Sequence, residues 1–259
     1  MEILYQDDSL VAVNKPAGLL VHRSAIDRHE IRYAMQIVRD RLGRRVYPVH
    51  RLDKPTSGIL VFALDADTAR RMTELFSGGG VDVDKTYLAV VRGYADETGI
   101  IDYALEEQLD RITDANAQRD KPAQPAVTCY RRLGIAELPF AVGRYPTARY
   151  SLLRVSPKTG RKHQIRRHMK HIFHPVVGDT SHGDGRHNNF FRSHFGCHRL
   201  LLCATGLAFT HPDTGERLRL EAPLDDSFRR IVDNLGWADV LNKVPESGHL
   251  HKPIYDPHT

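Results

Sequence analysis

The sequence predicts an α+β protein built on a mixed, largely antiparallel sheet flanked by helices. Three observations carry that expectation. Short runs rich in β-branched and aromatic residues recur along the chain, helical periodicity appears at only a few scattered places, and the two kinds do not alternate with the regular strand-helix-strand rhythm of a parallel α/β fold. With 259 residues, 41% of them hydrophobic, the chain is long enough to bury a sizeable core.

Residues 3–5, 10–14 and 19–22 read as short strands, broken at Asp7-Asp8 and at Lys15-Pro16-Ala17-Gly18. Ile31, Ala34, Met35, Val38 and Leu42 then recur at helical spacing, with Gly43 just beyond as a cap. Residues 59–64, ILVFAL, form an unbroken apolar run, as expected of a strand covered on both faces. Its entry is a turn, because Pro55 biases Lys54 away from helix and Thr56, Ser57 and Gly58 favour tight backbone geometry. Asp65 can cap a second helix with Ala69, Met72, Leu75 and Phe76 on its inner face, ended by Gly78-Gly79-Gly80.

Residues 86–91 return to strand. The polar stretch 106–126 reads as a surface excursion, and strand patterns follow at 127–133 and 148–155. A basic helix is expected over about 161–173, a Gly/His/Asn-rich loop over 178–198, and strands over 199–210 and 217–221. Phe228, Ile231, Val232 and Leu235 mark a closing helix. Residues 1–242 are expected to form one domain with no separate N-terminal RNA-binding appendage, and 243–259 a loose tail.

Lys+Arg of 37 against Asp+Glu of 32 gives a net charge of +5, which permits a polyanionic partner without requiring one. Its distribution says more: RKHQIRRHMKHIFH, residues 161–174, holds five Lys/Arg, four His and no acid. Cys129, Cys197 and Cys203 are odd in number and widely spaced, which argues against disulfides and fits a reducing cytoplasm. No apolar run approaches membrane-spanning length, and the N-terminus lacks a signal-peptide pattern.

The chemistry gathers in HRLDKPTSG (50–58), DKTYLAVVRG (84–93) and SPKTGRKHQIRRHM (156–169). A lone Asp53 before a buried strand is, by itself, most simply a turn residue. Together with the opening DDSLVAVNKPAG, however, the segments resemble, in order, those of the RluA-type pseudouridine synthases, from Ile3 to about Leu220. VHRSAIDR (21–28), GRYPTARY (143–150) and GDTSHGDGRHNNF (178–190) are most similar to a branch acting on tRNA, at uridine 65.

The resemblance implies the pseudouridine synthase catalytic fold without an S4 module, and Asp53 as the carboxylate acting as nucleophile or base on a flipped-out uridine. It pairs Asp53 with Arg166, whose planar fork can hold a carboxylate. It assigns Tyr87 to stacking on the uracil and to proton movement at C5. Arg51 would fill the gap left by the extruded base, and Arg161, Lys162, Arg167 and Lys170 would bind phosphates. Leu201 or Leu202 would pack under the base, while Cys203 stands where the family usually has His. No cofactor and no metal are implied, since an isomerisation adds and oxidises nothing.

The 15 histidines invite a metal reading, through His163, His168, His171 and His174 or through His182, His187 and Cys197, but the ligand spacing of a zinc hydrolase helix is absent. The expected partner is RNA, most simply tRNA; the chain is expected to be a cytoplasmic monomer. Three rivals stay open: a synthase acting on ribosomal RNA, a non-catalytic RNA-binding module, and a metal-dependent nuclease.

Overall fold

The computed structural model describes residues 1–22, 31–77, 82–107 and 122–243. A hairpin opens the chain, β1 (Glu2–Gln6) and β2 (Leu10–Lys15), and its turn is shaped by Asp7, whose Oδ1 accepts the backbone N–H groups of Ser9 and Leu10 at 2.9 and 2.7 Å. Helix α1 (Ala34–Leu42) ends at Gly43, which takes the left-handed conformation. The short β3 (Tyr47–Pro48) precedes β4 (Ser57–Ala63), and α2 (Ala66–Ser77) follows, its N-terminus capped by Asp65 through the backbone N–H of Thr68 at 2.8 Å. Next come β5 (Val83–Arg92), β6 (Thr98–Asp102), β7 (Val127–Leu138), β8 (Ala148–Pro157), α3 (Gln164–His171) and α4 (Gly185–Phe195). The chain continues through β9 (Leu202–Thr210), β10 (Arg217–Glu221), α5 (Asp226–Asn234) and α6 (Ala238–Lys243).

The strands join one mixed sheet in the order β1-β2-β4-β9-β5-β8-β7-β6, with β10 on β9 and β3 on β4. Every pairing is antiparallel except β4 with β9, which meet in parallel through Ser57 opposite Cys203 and Gly58 opposite Ala204. That contact requires glycine: a methyl group on Gly58 would lie 2.1 Å from the Ala204 carbonyl oxygen, and φ is 111°.

Both faces of the sheet are covered, so β4 is buried throughout. Met72 of α2 packs on Ile59, Val61 and Ala63 from one side, and Ala34 and Val38 of α1 pack on Leu60 and Phe62 from the other. Farther along, α3 lays Ile165 and Met169 on Ala89, Val91, Leu153 and Leu202. On the reverse face, Phe191 of α4 and Phe228 and Ile231 of α5 pack on Val90, Leu152, Leu201 and Cys203.

Several elements differ from expectation. Ile31 does not belong to the first helix; it is 82% exposed and α1 begins at Ala34. Residues 19–22 form no strand, Leu20 making only an isolated bridge to Tyr33. The basic helix is shorter than expected, Gln164–His171, and the strand expected from 199 begins at Leu202. The expected loop 178–198 contains α4, whose ends are fixed by Asp184, accepting the Arg186 N–H at 3.0 Å, and by Gly196 in the left-handed region. Its buried residues include the polar Asn188 beside Phe191, so the sequence shows little apolar periodicity. The short β3, β6 and α6 also went unpredicted. Gly78 to Gly80, most of the 106–126 excursion and residues 244–259 lie outside the described residues, while Lys243 closes α6.

Candidate active site

Asp53 sits on the turn between β3 and β4, and three backbone contacts shape that turn. The Asp53 carbonyl accepts the Thr56 N–H at 3.0 Å, while the Lys54 carbonyl accepts the Gly18 N–H at 2.8 Å and the Lys15 ammonium at 3.2 Å. Lys15 is fully buried and also donates to the carbonyls of Pro16 and Leu19, at 3.0 and 2.8 Å. One ammonium thus ties the NKPAG segment to the turn carrying the carboxylate. Burial lowers its pKa to about 7, with the charge of Arg199 acting in the same direction. His50 is neutral, held at about 3 by burial and by Lys85; its Nε2 accepts the Val61 N–H at 3.0 Å and its ring stacks on Phe76.

Facing the turn is the N-terminal end of α3. Arg166, 4% exposed, donates through Nη1 to Asp53 Oδ2 at 3.1 Å. Its Nε and Nη2 are given to a different carboxylate, Asp179, at 2.7 and 2.8 Å. Asp179 is buried and also accepts the backbone N–H groups of Ser181 and His182, at 2.9 and 3.0 Å. Burial alone would push this carboxyl up, but the hydrogen bonds from Arg166 and the two amides hold it below the usual carboxylate range. Burial likewise opposes the Arg166 charge, and Asp179 with Asp53 outweighs it.

The helix is itself anchored. Gln164 donates to the Val127 carbonyl and to Thr128 Oγ1, at 3.0 and 2.9 Å, and its Oε1 accepts from Thr159 Oγ1 and from the Arg161 N–H. Gly178, just before Asp179, is required where the chain passes Arg199, since a methyl there would lie 1.9 Å from the Arg199 carbonyl oxygen.

Between turn and helix lies a cleft of about 400 Å³, lined by Arg51, Asp53, Tyr87, Arg161, Lys162, His163, Arg166 and Leu202, among others. Tyr87 projects from β5. Burial, reinforced by the negative charge of Asp53, raises its pKa well above the ordinary value for a tyrosine, so it is a neutral phenol able to stack and to donate. The His163 imidazole approaches Asp53, Nε2 to Oδ2 3.9 Å, and its Nδ1 lies 3.0 Å from His182 Nε2. Burial lowers its pKa to about 4, leaving the ring neutral.

The remaining expected residues divide by position. Arg51 is exposed on the cleft wall, with Arg161 and Lys162 opposite. Arg167 instead donates to the Glu106 carbonyl at 2.9 Å, and Lys170 is exposed farther along α3. Leu202 lines the cleft, whereas Leu201 points into the core on the reverse face. Cys203 shares that reverse face beside Ser57, and burial pushes its thiol up. Among the described residues no three His, Cys, Asp or Glu side chains are grouped to hold a metal ion, and no helix is long and apolar enough to cross a membrane.

Sequence reasoning missed Lys15, Asp179 and the His163–His182 contact. The signal for Asp179 was a lone acid directly after Gly178 and the apolar Val176-Val177, a place where an unpaired carboxylate would be costly.

A family model described as RNA pseudouridylate synthase matches residues 9–171. The chain is 51% identical over 243 residues to tRNA pseudouridine synthase C of Vibrio parahaemolyticus serotype O3:K6 (strain RIMD 2210633), covering 94% of this chain and 98% of that protein. It is 52% identical over 240 residues to tRNA pseudouridine synthase C of Haemophilus influenzae (strain ATCC 51907 / DSM 11121 / KW20 / Rd), covering 93% of this chain and 100% of that one. Among solved structures, Human RNA Pseudouridylate Synthase Domain Containing 4 superposes with a TM-score of 0.65 at 26% identity, over 91% of this chain and 93% of that chain.

Proposed function

The chain belongs to the RNA pseudouridylate synthase family, and from that premise we propose that it isomerises a uridine of tRNA to pseudouridine with Asp53 as the reacting carboxylate. The observation that carries the reading is the Arg166–Asp53 hydrogen bond in a cleft that also holds Tyr87 and Leu202. The reaction breaks the bond from N1 to C1′, turns the base and joins C5 to C1′. The proton leaves C5 and N1 gains one, so atoms and electrons balance with no cofactor.

Each group in the cleft answers one need of that sequence. An ionised carboxylate is needed at the sugar, and Arg166, itself fixed by Asp179, pairs with Asp53 and aims it. The detached uracil must be kept while it turns, and Tyr87 and Leu202 offer apolar surfaces for it. A nucleotide inside a stem must first be extruded, and Arg51 on the cleft wall suits the space left behind. Arg161 and Lys162 suit the flanking phosphates. In this reading residues 1–242 work as one catalytic domain, as a monomer and in the cytoplasm.

The test is to incubate the purified chain with unmodified tRNA and, separately, with ribosomal RNA, and to map pseudouridine in each. New pseudouridine at position 65 of tRNA supports the reading. Modification of ribosomal RNA alone would overturn the tRNA assignment, and none in either would overturn the reading itself.

A further inference from the structure

Among the described residues two non-glycines adopt the left-handed backbone region, His163 at φ 55° and Phe173 at φ 63°, and they flank α3. His163 belongs to the cleft. Phe173 does not, and its situation is different.

The His174 N–H donates to the Met169 carbonyl at 2.8 Å and the Phe173 N–H to the Lys170 carbonyl at 3.0 Å, the paired bonds of a helix-ending turn whose left-handed residue is most often glycine. A residue with a Cβ is strained there, and an aromatic one gains no local hydrogen bond in exchange. Nor does the ring pack: Phe173 is 79% exposed. The backbone therefore holds an unfavourable conformation to display a large apolar face to solvent.

The surroundings suit RNA. Lys170 and His171 stand exposed just before it on a segment with no acid between residues 161 and 174, and the His171 ring stacks on the half-exposed Tyr103 at 3.7 Å. Aromatic faces interleaved with cations are what an unpaired base and its phosphates require. Phe173 lies seven residues beyond Arg166, roughly 10 Å along the helix, so it is within reach of the same RNA that enters the cleft. We infer that Phe173 is a stacking platform for a nucleobase of the substrate RNA outside the catalytic cleft. The inference rests on the functional reading above and adds a second contact to it.

The experiment compares wild type with Phe173→Gly and Phe173→Asn, both at ease in the left-handed region, and with Phe173→Trp, which keeps an aromatic face. Tm and the Kd and turnover on tRNA are measured for each. Glycine and asparagine are expected to raise Tm by roughly 2–4 °C while weakening RNA binding and raising KM by roughly fivefold or more, with kcat nearly unchanged; tryptophan is expected to keep wild-type affinity. Unchanged Kd and KM in the glycine and asparagine variants of an active enzyme would overturn this inference alone. A wild-type enzyme that leaves uridine unchanged would instead overturn the functional reading, whatever the variants bind.

Discussion

Arg166 stands between two carboxylates and serves them unequally: Nε and Nη2 hold Asp179 at 2.7 and 2.8 Å, and only Nη1 reaches Asp53, at 3.1 Å. The two-pronged bond fixes the guanidinium, and the single bond leaves Asp53 with oxygen lone pairs free for chemistry. Asp179 is therefore a positioning residue that acts through Arg166.

Asp179→Asn removes the buried carboxylate that holds Arg166 by two bonds and leaves the guanidinium aligned only by its single bond to Asp53. Stability is expected to fall by about 3 kcal/mol, and kcat by at least about tenfold with KM for RNA little changed. Urea unfolding and steady-state kinetics check both, and wild-type kcat in the folded variant would contradict the positioning role.

Gly58→Ala places a methyl 2.1 Å from the Ala204 carbonyl oxygen, backbone that cannot give way without parting β4 from β9. A loss of about 3 kcal/mol or more, or failure to accumulate as folded protein, is expected. A Tm within a few degrees of wild type would show that the parallel contact is not close-packed.

Tyr87→Phe keeps the ring and deletes a hydroxyl that burial and Asp53 hold neutral well beyond pH 10. If the hydroxyl helps move the C5 proton, kcat falls by about 10²-fold or more while RNA affinity stays, as single-turnover rates would reveal. Equal rates would reduce Tyr87 to a stacking surface.

Acid stability has a separate source. Burial pulls the Asp7 carboxyl upward, but the Tyr5 hydroxyl, the amides of Leu10 and Ser9, and His211 at 2.8 Å outweigh it and hold the pKa at about 2, below the ordinary 3.8. A depressed carboxylate stabilises fully above about pH 4 and loses that contribution as pH falls toward 2. Solvent screening reduces it to about 1 kcal/mol. Urea midpoints of wild type and Asp7→Asn are expected to differ above pH 4 and to converge near pH 2; a gap constant with pH would contradict this.

The parts of the molecule legible in the sequence were those with local causes. The apolar run of β4, the Asp65 cap and the Gly43 stop are each decided by neighbours in the chain. Helix α4 was not legible, because its ends are marked but its inner face mixes Asn188 with Phe191. In the site, a family resemblance pointed to Asp53, Tyr87 and Arg166, and the fold gathers them around one cleft. Asp179 and Lys15 escaped because their roles depend on partners 13 and 39 residues away, which the local placement of a lone acid after Val176-Val177-Gly178 does not identify.

The most direct measurement is turnover by Asp53→Asn on tRNA, alongside its equilibrium binding. Asparagine keeps the size and can still meet Arg166 but supplies no anion at the sugar. Pseudouridine formation is expected to vanish into background while Kd stays within a few-fold of wild type. Turnover at a rate near wild type, from a folded variant that binds RNA equally well, would remove the carboxylate from the chemistry and with it the account of this site.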